Sequence, residues 1–160
     1  MSFTSDKSSD NYMTNKKEWE RIKDYIPTDK KIWSPFYGDG KQKQYFEEMG
    51  IDIIHEDRDF FGWTPEEFDM IVDNPPFSKK KEVLIRLKEI GKPFILICPS
   101  MMLSYKYFQE LFADDIQIII PHKRINFKHI DSDKKNYSPP FASFYFCWKM
   151  NLPKDLLFIE

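Results

Sequence analysis

Residues 74–77 read Asn-Pro-Pro-Phe, and each residue type contributes to chemistry at an amino nitrogen. Pro75 and Pro76 fix two consecutive φ angles and remove two backbone donors, leaving their carbonyls as acceptors. The Asn74 side-chain oxygen and a neighbouring carbonyl can both accept hydrogen bonds from one exocyclic amino group. Held that way, the nitrogen turns its lone pair toward an electrophile and away from its ring. Phe77 offers a flat face for stacking a planar amide or base. A proline-rich strand terminator is the bland alternative. The stretch Pro35-Phe36-Tyr37-Gly38-Asp39-Gly40 is the second feature. Its glycines let the backbone turn sharply and approach a ligand where a Cβ would collide. A helix beginning just after it presents free amides to a carboxylate or phosphate. A Gly-Asp-Gly turn is also an ordinary strand-to-helix connection, and the spacing is not GxGxxG, which argues against a dinucleotide fold.

Alternating strands and helices position both features. Residues 16–26 carry Trp19, Ile22 and Ile26 at helical spacing and stop at Pro27, so one amphipathic helix is expected. Strands are expected over 31–36, 51–54, 69–72, 94–98, 116–120 and 141–148. Helices are expected over 41–49, 79–90 and 105–113, the first ending at Gly50 and the second capped by Ser78 and ended by Gly91. Thr64-Pro65-Glu66-Glu67 has the residue order of an N-cap and a first helical turn. The alternation predicts βαβ crossovers and a mostly parallel sheet with helices on both faces. The last two strands have no helix between them and are expected to pair antiparallel at one edge. Both chemical features then lie beyond strand C-termini, where such a sheet binds its ligand.

With 160 residues the chain makes one domain, expected over 16–160 behind a polar, disordered tail at 1–15. Hydrophobic residues reach 41%, charged residues 31% and aromatics 17%, enough for a dense core. No apolar run is long enough for a membrane span, and the N-terminus lacks the apolar region of a secretory signal. Cys98 and Cys147 sit in apolar runs and read as buried thiols of a reducing cytoplasm. His122 and His129 have no Cys or acid at ligand spacing, so no metal is expected. The net charge of −2 hides a sharp asymmetry. Residues 47–69 carry nine acids against Arg58 alone. Lys79, Lys80 and Lys81 then open a basic run, and Lys123, Arg124, Lys128, Lys134 and Lys135 form another. Such patches either track a phosphate backbone or are solvated faces.

Taken together, the two features resemble the cofactor and catalytic motifs of S-adenosylmethionine-dependent adenine-N6 methyltransferases. The similarity is to the EcoRI modification methyltransferase type, with its small viral and mobile-element relatives. Asp59-Phe-Phe61, Pro121-His-Lys-Arg-Ile-Asn-Phe127 and Phe141-Ala-Ser-Phe-Tyr-Phe-Cys-Trp148 extend it across roughly residues 31–160. The resemblance implies an α/β, three-layer Rossmann-like class I methyltransferase fold, mostly parallel with an antiparallel edge hairpin. It implies Asn74, Pro75, Pro76 and Phe77 as the catalytic set, with Phe77 stacking on a flipped adenine. Pro35, Phe36, Gly38 and Gly40 would line the methionine part of the cofactor. Asp59 would accept from the cofactor's adenine amino group, with Phe60 packing on its ring. Glu56 would hold the ribose hydroxyls, and His55 competes for that place.

Against the pattern of the larger family, the chain is expected to have no separate target-recognition domain. Lys79, Lys80, Lys123, Arg124, Lys128, Lys134 and Lys135 are then the expected nucleic-acid contacts, with Tyr137 as a stacking residue. Short or relaxed sequence specificity follows, or a protein partner that supplies it. DNA is the expected partner and no membrane is. The same chemistry on RNA adenine or a protein glutamine is an alternative, and so is a catalytically degenerate nucleic-acid-binding subunit.

Overall fold

The computed structural model describes residues 12–129 and 139–160, without the side chains of Phe77 and His129. Seven strands build the main sheet. Three of them, β2 (Lys31–Trp33), β3 (Asp52–Ile54) and β4 (Met70–Asp73), run parallel with β2 in the middle. Beside β4 lies parallel β5 (Phe94–Pro99), then antiparallel β8 (Ser143–Trp148), then β6 (Ile116–Pro121) and finally β9 (Leu156–Ile159). The strand order is β3-β2-β4-β5-β8-β6-β9. A separate two-stranded ribbon pairs β1 (Tyr12–Thr14) antiparallel with β7 (Phe127–His129).

Strand β5 shows why the sheet is the middle of three layers. All six of its residues are buried, and they alternate between two cores. Ile95 and Ile97 join Trp19, Ile22, Ile32, Phe46, Tyr145 and Cys147 on one face. Phe94, Leu96 and Cys98 join Val83, Leu87, Phe108, Phe112 and Phe146 on the other. Helices α1 (Lys16–Glu20) and α2 (Gln42–Glu48) contribute to the first core, α3 (Lys80–Ile90) and α4 (Lys106–Phe112) to the second. Each large side chain moved out of water contributes roughly 1.5–3 kcal/mol, so a double-faced strand is a strong anchor. Both thiols lie in these cores as expected, and burial pushes each up to about 12.

Several expectations are corrected. Residues 12–14 belong to a strand and not to a polar tail, because β7 supplies their hydrogen-bond partners. Residues 16–26 split into α1 and a 3-10 turn at Lys23–Tyr25, because the Ile22 amide bonds the Trp19 carbonyl three residues back. Residues 64–67 form no helical turn: the Thr64 hydroxyl accepts from Arg86 Nη2 at 2.5 Å, so the chain crosses from β3 to β4 without a helix. A 3-10 turn at Phe77–Lys79 precedes α3, so Lys79 and not Ser78 holds the N-cap position. The antiparallel β8 is present, but β9 adds a parallel strand outside β6. Among the described residues no helix is long and apolar enough to cross a membrane.

Glu18 ties α1 to the segment leading into β7. It is 1% exposed, pairs with Arg21 Nη1 at 2.8 Å and accepts from the Asn126 amide at 2.8 Å. The Tyr145 hydroxyl donates to its carbonyl. Removing the carboxylate leaves Arg21 Nη1 and the half-buried Asn126 amide without their acceptor, although the guanidinium keeps the Lys123 and Glu160 carbonyls. Glu18→Ala is expected to lower unfolding free energy by about 2–4 kcal/mol, read from urea denaturation. A loss below about 0.5 kcal/mol would contradict this account.

Candidate functional site

The order of strands reverses between β2 and β4: the chain leaves β2 for β3 on one side and returns to β4 on the other. Ligands of open α/β sheets bind beyond strand C-termini at such a point. The turn 35–40 and the corner 74–77 both lie there, brought together as expected.

Asp73, the last residue of β4, joins them. Its carboxylate accepts from the Phe36 amide at 2.6 Å, the Asn74 amide at 2.7 Å and Gln42 Nε2 at 3.0 Å. Gln42 Nε2 also donates to the Ser34 hydroxyl, and Gln42 Oε1 accepts from Trp19 Nε1 at 3.2 Å. Burial raises the Asp73 carboxyl to about 6; the opposite charge of His55 and the amide donors of Phe36 and Asn74 pull the other way. His55 lies under the turn, with Nδ1 2.8 Å from the Ser34 carbonyl and Nε2 3.1 Å from the Tyr37 carbonyl. A ring protonated on both nitrogens donates to both. The Tyr37 ring stacks on it at 5.0 Å.

Gly38 and Gly40 have φ of 58° and 77°, a region costly for residues with a Cβ. A Cβ on Gly38 would strike Met13 Sδ, and one on Gly40 would lie 2.5 Å from the Tyr37 hydroxyl. Strand β1 therefore packs against the glycine turn. Next along it, the Thr14 hydroxyl accepts from Asn74 Nδ2 at 3.0 Å. That bond orients the carboxamide and leaves Asn74 Oδ1 buried without a partner. An orphaned acceptor at a corner of consecutive prolines is suited to receiving an N–H from a ligand. Pro75 and Pro76 are buried beside it. The backbone of Phe77 opens the 3-10 turn; its ring lies outside the described side chains.

The other expected cofactor residues sit on the loop between β3 and β4. Asp59 Oδ1 accepts from the Phe61 amide at 3.0 Å in a local turn. Arg86 clamps the loop from α3, donating to the Phe60 carbonyl at 2.6 Å. Phe60 is 1% exposed and packs between Trp33 and Phe36, with the Arg86 guanidinium 5.3 Å from its ring. Its ring supports the loop from the core. Glu56 stands half-exposed in an ion pair with Arg58 at 3.1 Å, while its rival His55 is committed to the turn above it.

The basic residues divide. Lys79, Lys123 and Arg124 are exposed, although Arg124 Nη1 also donates to the Pro139 carbonyl at 2.8 Å. Lys80 is half-buried with its ammonium 5.6 Å from the Tyr105 ring centre. Lys128 is the correction: it donates to the Tyr45 hydroxyl at 2.9 Å and pairs with Asp39 at 3.5 Å. Burial lowers its pKa, but these partners outweigh that and leave it raised. Lys128 therefore pins β7 to the glycine turn, because its chain reaches an acid before it reaches solvent. Lys134, Lys135 and Tyr137 lie outside the described residues. A hollow of about 320 Å³ lined by Glu66, Glu67, Phe68, Asp69 and Lys92 lies before β4, at the opposite end of that strand from this chemistry.

Asp73, Thr14, Met13 and Gln42 were not singled out by sequence reasoning. An acid closing the apolar run before Asn74 was a usable signal for Asp73; nothing local marked the other three.

The fold is Rossmann-like, a mostly parallel sheet between two layers of helices. A solved dimethyladenosine transferase from Plasmodium falciparum superimposes with a TM-score of 0.50 at 12% identity, covering 85% of this chain and 62% of that one. A possible methylase from Clostridium difficile 630 aligns with a TM-score of 0.36 at 18% identity, over 78% of this chain and 33% of that one. The chain thus spans less than two thirds of either. No protein-family profile and no curated protein matches the sequence.

Because the folded Asp73 pKa lies above its ordinary 3.8, ionising it costs more in the fold than in the open chain. Its contribution to stability is fullest below pH about 4 and is lost as pH rises through about 6. Relative to Asp73→Asn, the wild type should lose on the order of 1–3 kcal/mol between pH 4 and pH 7. Urea midpoints of the two proteins across that range check this; a flat difference contradicts the buried ionisation.

Proposed function

We propose that the protein transfers a methyl group from S-adenosylmethionine to the N6 amino group of adenine in DNA, with short or relaxed sequence specificity. The observation that carries this reading is the buried, unpartnered Asn74 Oδ1. It is held by Thr14 and tied through Asp73 to a turn whose glycines bring backbone close to a ligand. The Rossmann-like fold supports it, and so does the resemblance of residues 35–40 and 74–77 to adenine-N6 enzymes.

The residues at this corner fit such a cofactor. Phe36, Gly38 and Gly40 would border its methionine part, Asp59 would accept from its adenine amino group, and Glu56 is the acid nearest in sequence for its ribose. Bound there, the sulfonium supplies an activated methyl group. The protein's part is positioning. Asn74 Oδ1 and the Pro75 carbonyl would accept hydrogen bonds from the two N6–H groups, aim the lone pair and stabilise the positive charge that grows on nitrogen until one of those protons leaves to solvent. Alignment of this kind lowers a barrier by roughly 7–11 kcal/mol in favourable cases. No covalent nucleophile is needed. Lys79, Lys80, Lys123 and Arg124 supply the charge that draws a phosphate backbone, with Lys134 and Lys135 proposed to extend that patch.

Incubation with methyl-labelled cofactor and separate DNA, RNA and protein substrates tests the reading. Label recovered as N6-methyladenine from DNA supports it; label on RNA or on glutamine redirects the same chemistry. Asn74→Ala should reduce methyl transfer at least 100-fold, as removal of one preorganised polar group does. It should leave cofactor affinity, measured by calorimetry, within a few fold. Normal turnover in that variant removes the proposed role.

A further inference from the structure

Among the described residues, three buried side-chain polar atoms have no hydrogen-bond partner: Asn74 Oδ1, Ser143 Oγ and Trp148 Nε1. Native interiors pair such groups, and an orphan costs stability, so each asks for a reason. Trp148 lies at the far end of β8, where its ring packs on Phe94 and Phe112 under the ammonium groups of Lys88 and Lys149. Ser143 has no such packing role. It opens β8 and is only 3% exposed.

Its place in the sheet is informative. Ser143 alternates with Tyr145 and Cys147, which belong to the first core. Asn74 continues the alternation of Met70 and Val72, which face that same core. Its carboxamide bonds Thr14 on β1, whose partner strand β7 buries Phe127 there. The two orphans therefore share a face at one end of the sheet, on strands that flank β5. Strands two places apart lie about 10 Å from each other, and Ser143, opposite Pro99, stands two residues further along the sheet than Asn74, so the two backbones are about 12 Å apart, within the span of a single nucleotide.

The cross-strand positions on either side of Ser143 are prolines. Pro99 stands opposite it on β5, and carrying the β6–β8 register two residues past Ile119–Tyr145 sets Pro121 opposite it on β6. Neither has an N–H, so no ladder amide at this level reaches the hydroxyl. The basic segment leaves the sheet at Pro121 and returns through Ala142, whose carbonyl accepts from the Ser100 amide at 2.8 Å. Ser143 is thus at the foot of the residues proposed to draw nucleic acid.

We propose that Ser143 contacts the substrate: its hydroxyl bonds a polar atom of the same nucleotide whose amino group Asn74 receives. Asn74 Oδ1 only accepts, whereas a serine hydroxyl also donates. The pair therefore recognises an amino donor together with a nearby acceptor, a ring nitrogen or a sugar or phosphate oxygen. This inference rests on the adenine-methylation reading.

Ser143→Ala tests it. The urea midpoint should stay level or rise, because the variant loses an orphan, and calorimetry should give an unchanged cofactor affinity. The KM for methyl-acceptor DNA should rise about tenfold with kcat within a few fold, the loss of one good hydrogen bond. A space-filling role for Ser143 predicts no change in KM, and a KM within twofold of wild type overturns the inference. Ser143→Cys keeps the volume and gives the same comparison where the alanine variant does not fold. Anisotropy of a fluorescein-labelled oligo(dA) strand separates the two readings. An inactive wild type that still binds the strand about tenfold tighter than S143A sinks the methylation reading and upholds the contact. Equal or absent binding by both sinks the contact.

Discussion

The Asp73 carboxylate receives N–H groups from the glycine turn, the proline corner and α2, and the site depends on that convergence. Three donors on one buried carboxylate fix the distance between two loops that are 37 residues apart in sequence. Each such bond is directional and charge-assisted, so the loops cannot drift independently. The same burial that sharpens these bonds makes the charge expensive, which is why the group is held near 6 and not lower. His55 completes the arrangement from below by holding the carbonyls of Ser34 and Tyr37 at the two ends of its ring. Asparagine at 73 would have one acceptor oxygen where three donors converge.

Around this carboxylate the protein adds a second layer of restraint from far along the chain. Strand β1 arrives with Met13 over Gly38 and Thr14 on Asn74, and β7 arrives with Lys128 on Asp39. Glu18 in turn holds the segment that leads into β7. The ribbon is thereby attached to both halves of the site and to the root of the basic segment.

The sheet and its helices were legible because each rests on a local pattern. The continuous apolar run 94–98 marked a strand buried on both faces, and Val83, Leu84 and Leu87 marked the inner side of α3. Gly91, in the left-handed region at φ 74°, ended that helix as its position implied. The failures occurred where a distant partner overrode a local signal. Thr64 looked like an N-cap until its hydroxyl met Arg86, and Lys128 looked like a free cation until it met Asp39. β9 has the weak signature of an edge strand, with Leu156 and Phe158 left largely exposed.

From its residues alone the chain determined the alternating α/β order, the glycine turn, the proline corner and their placement at strand ends. Those follow from periodicity and from the restricted dihedrals of glycine and proline, which act within a few residues. Only the tertiary structure decided that Asp73 joins the turn to the corner, that Thr14 turns the Asn74 oxygen free, and that Ser143 lies orphaned between two prolines. Those depend on contacts between segments separated by tens of residues, which no local pattern encodes.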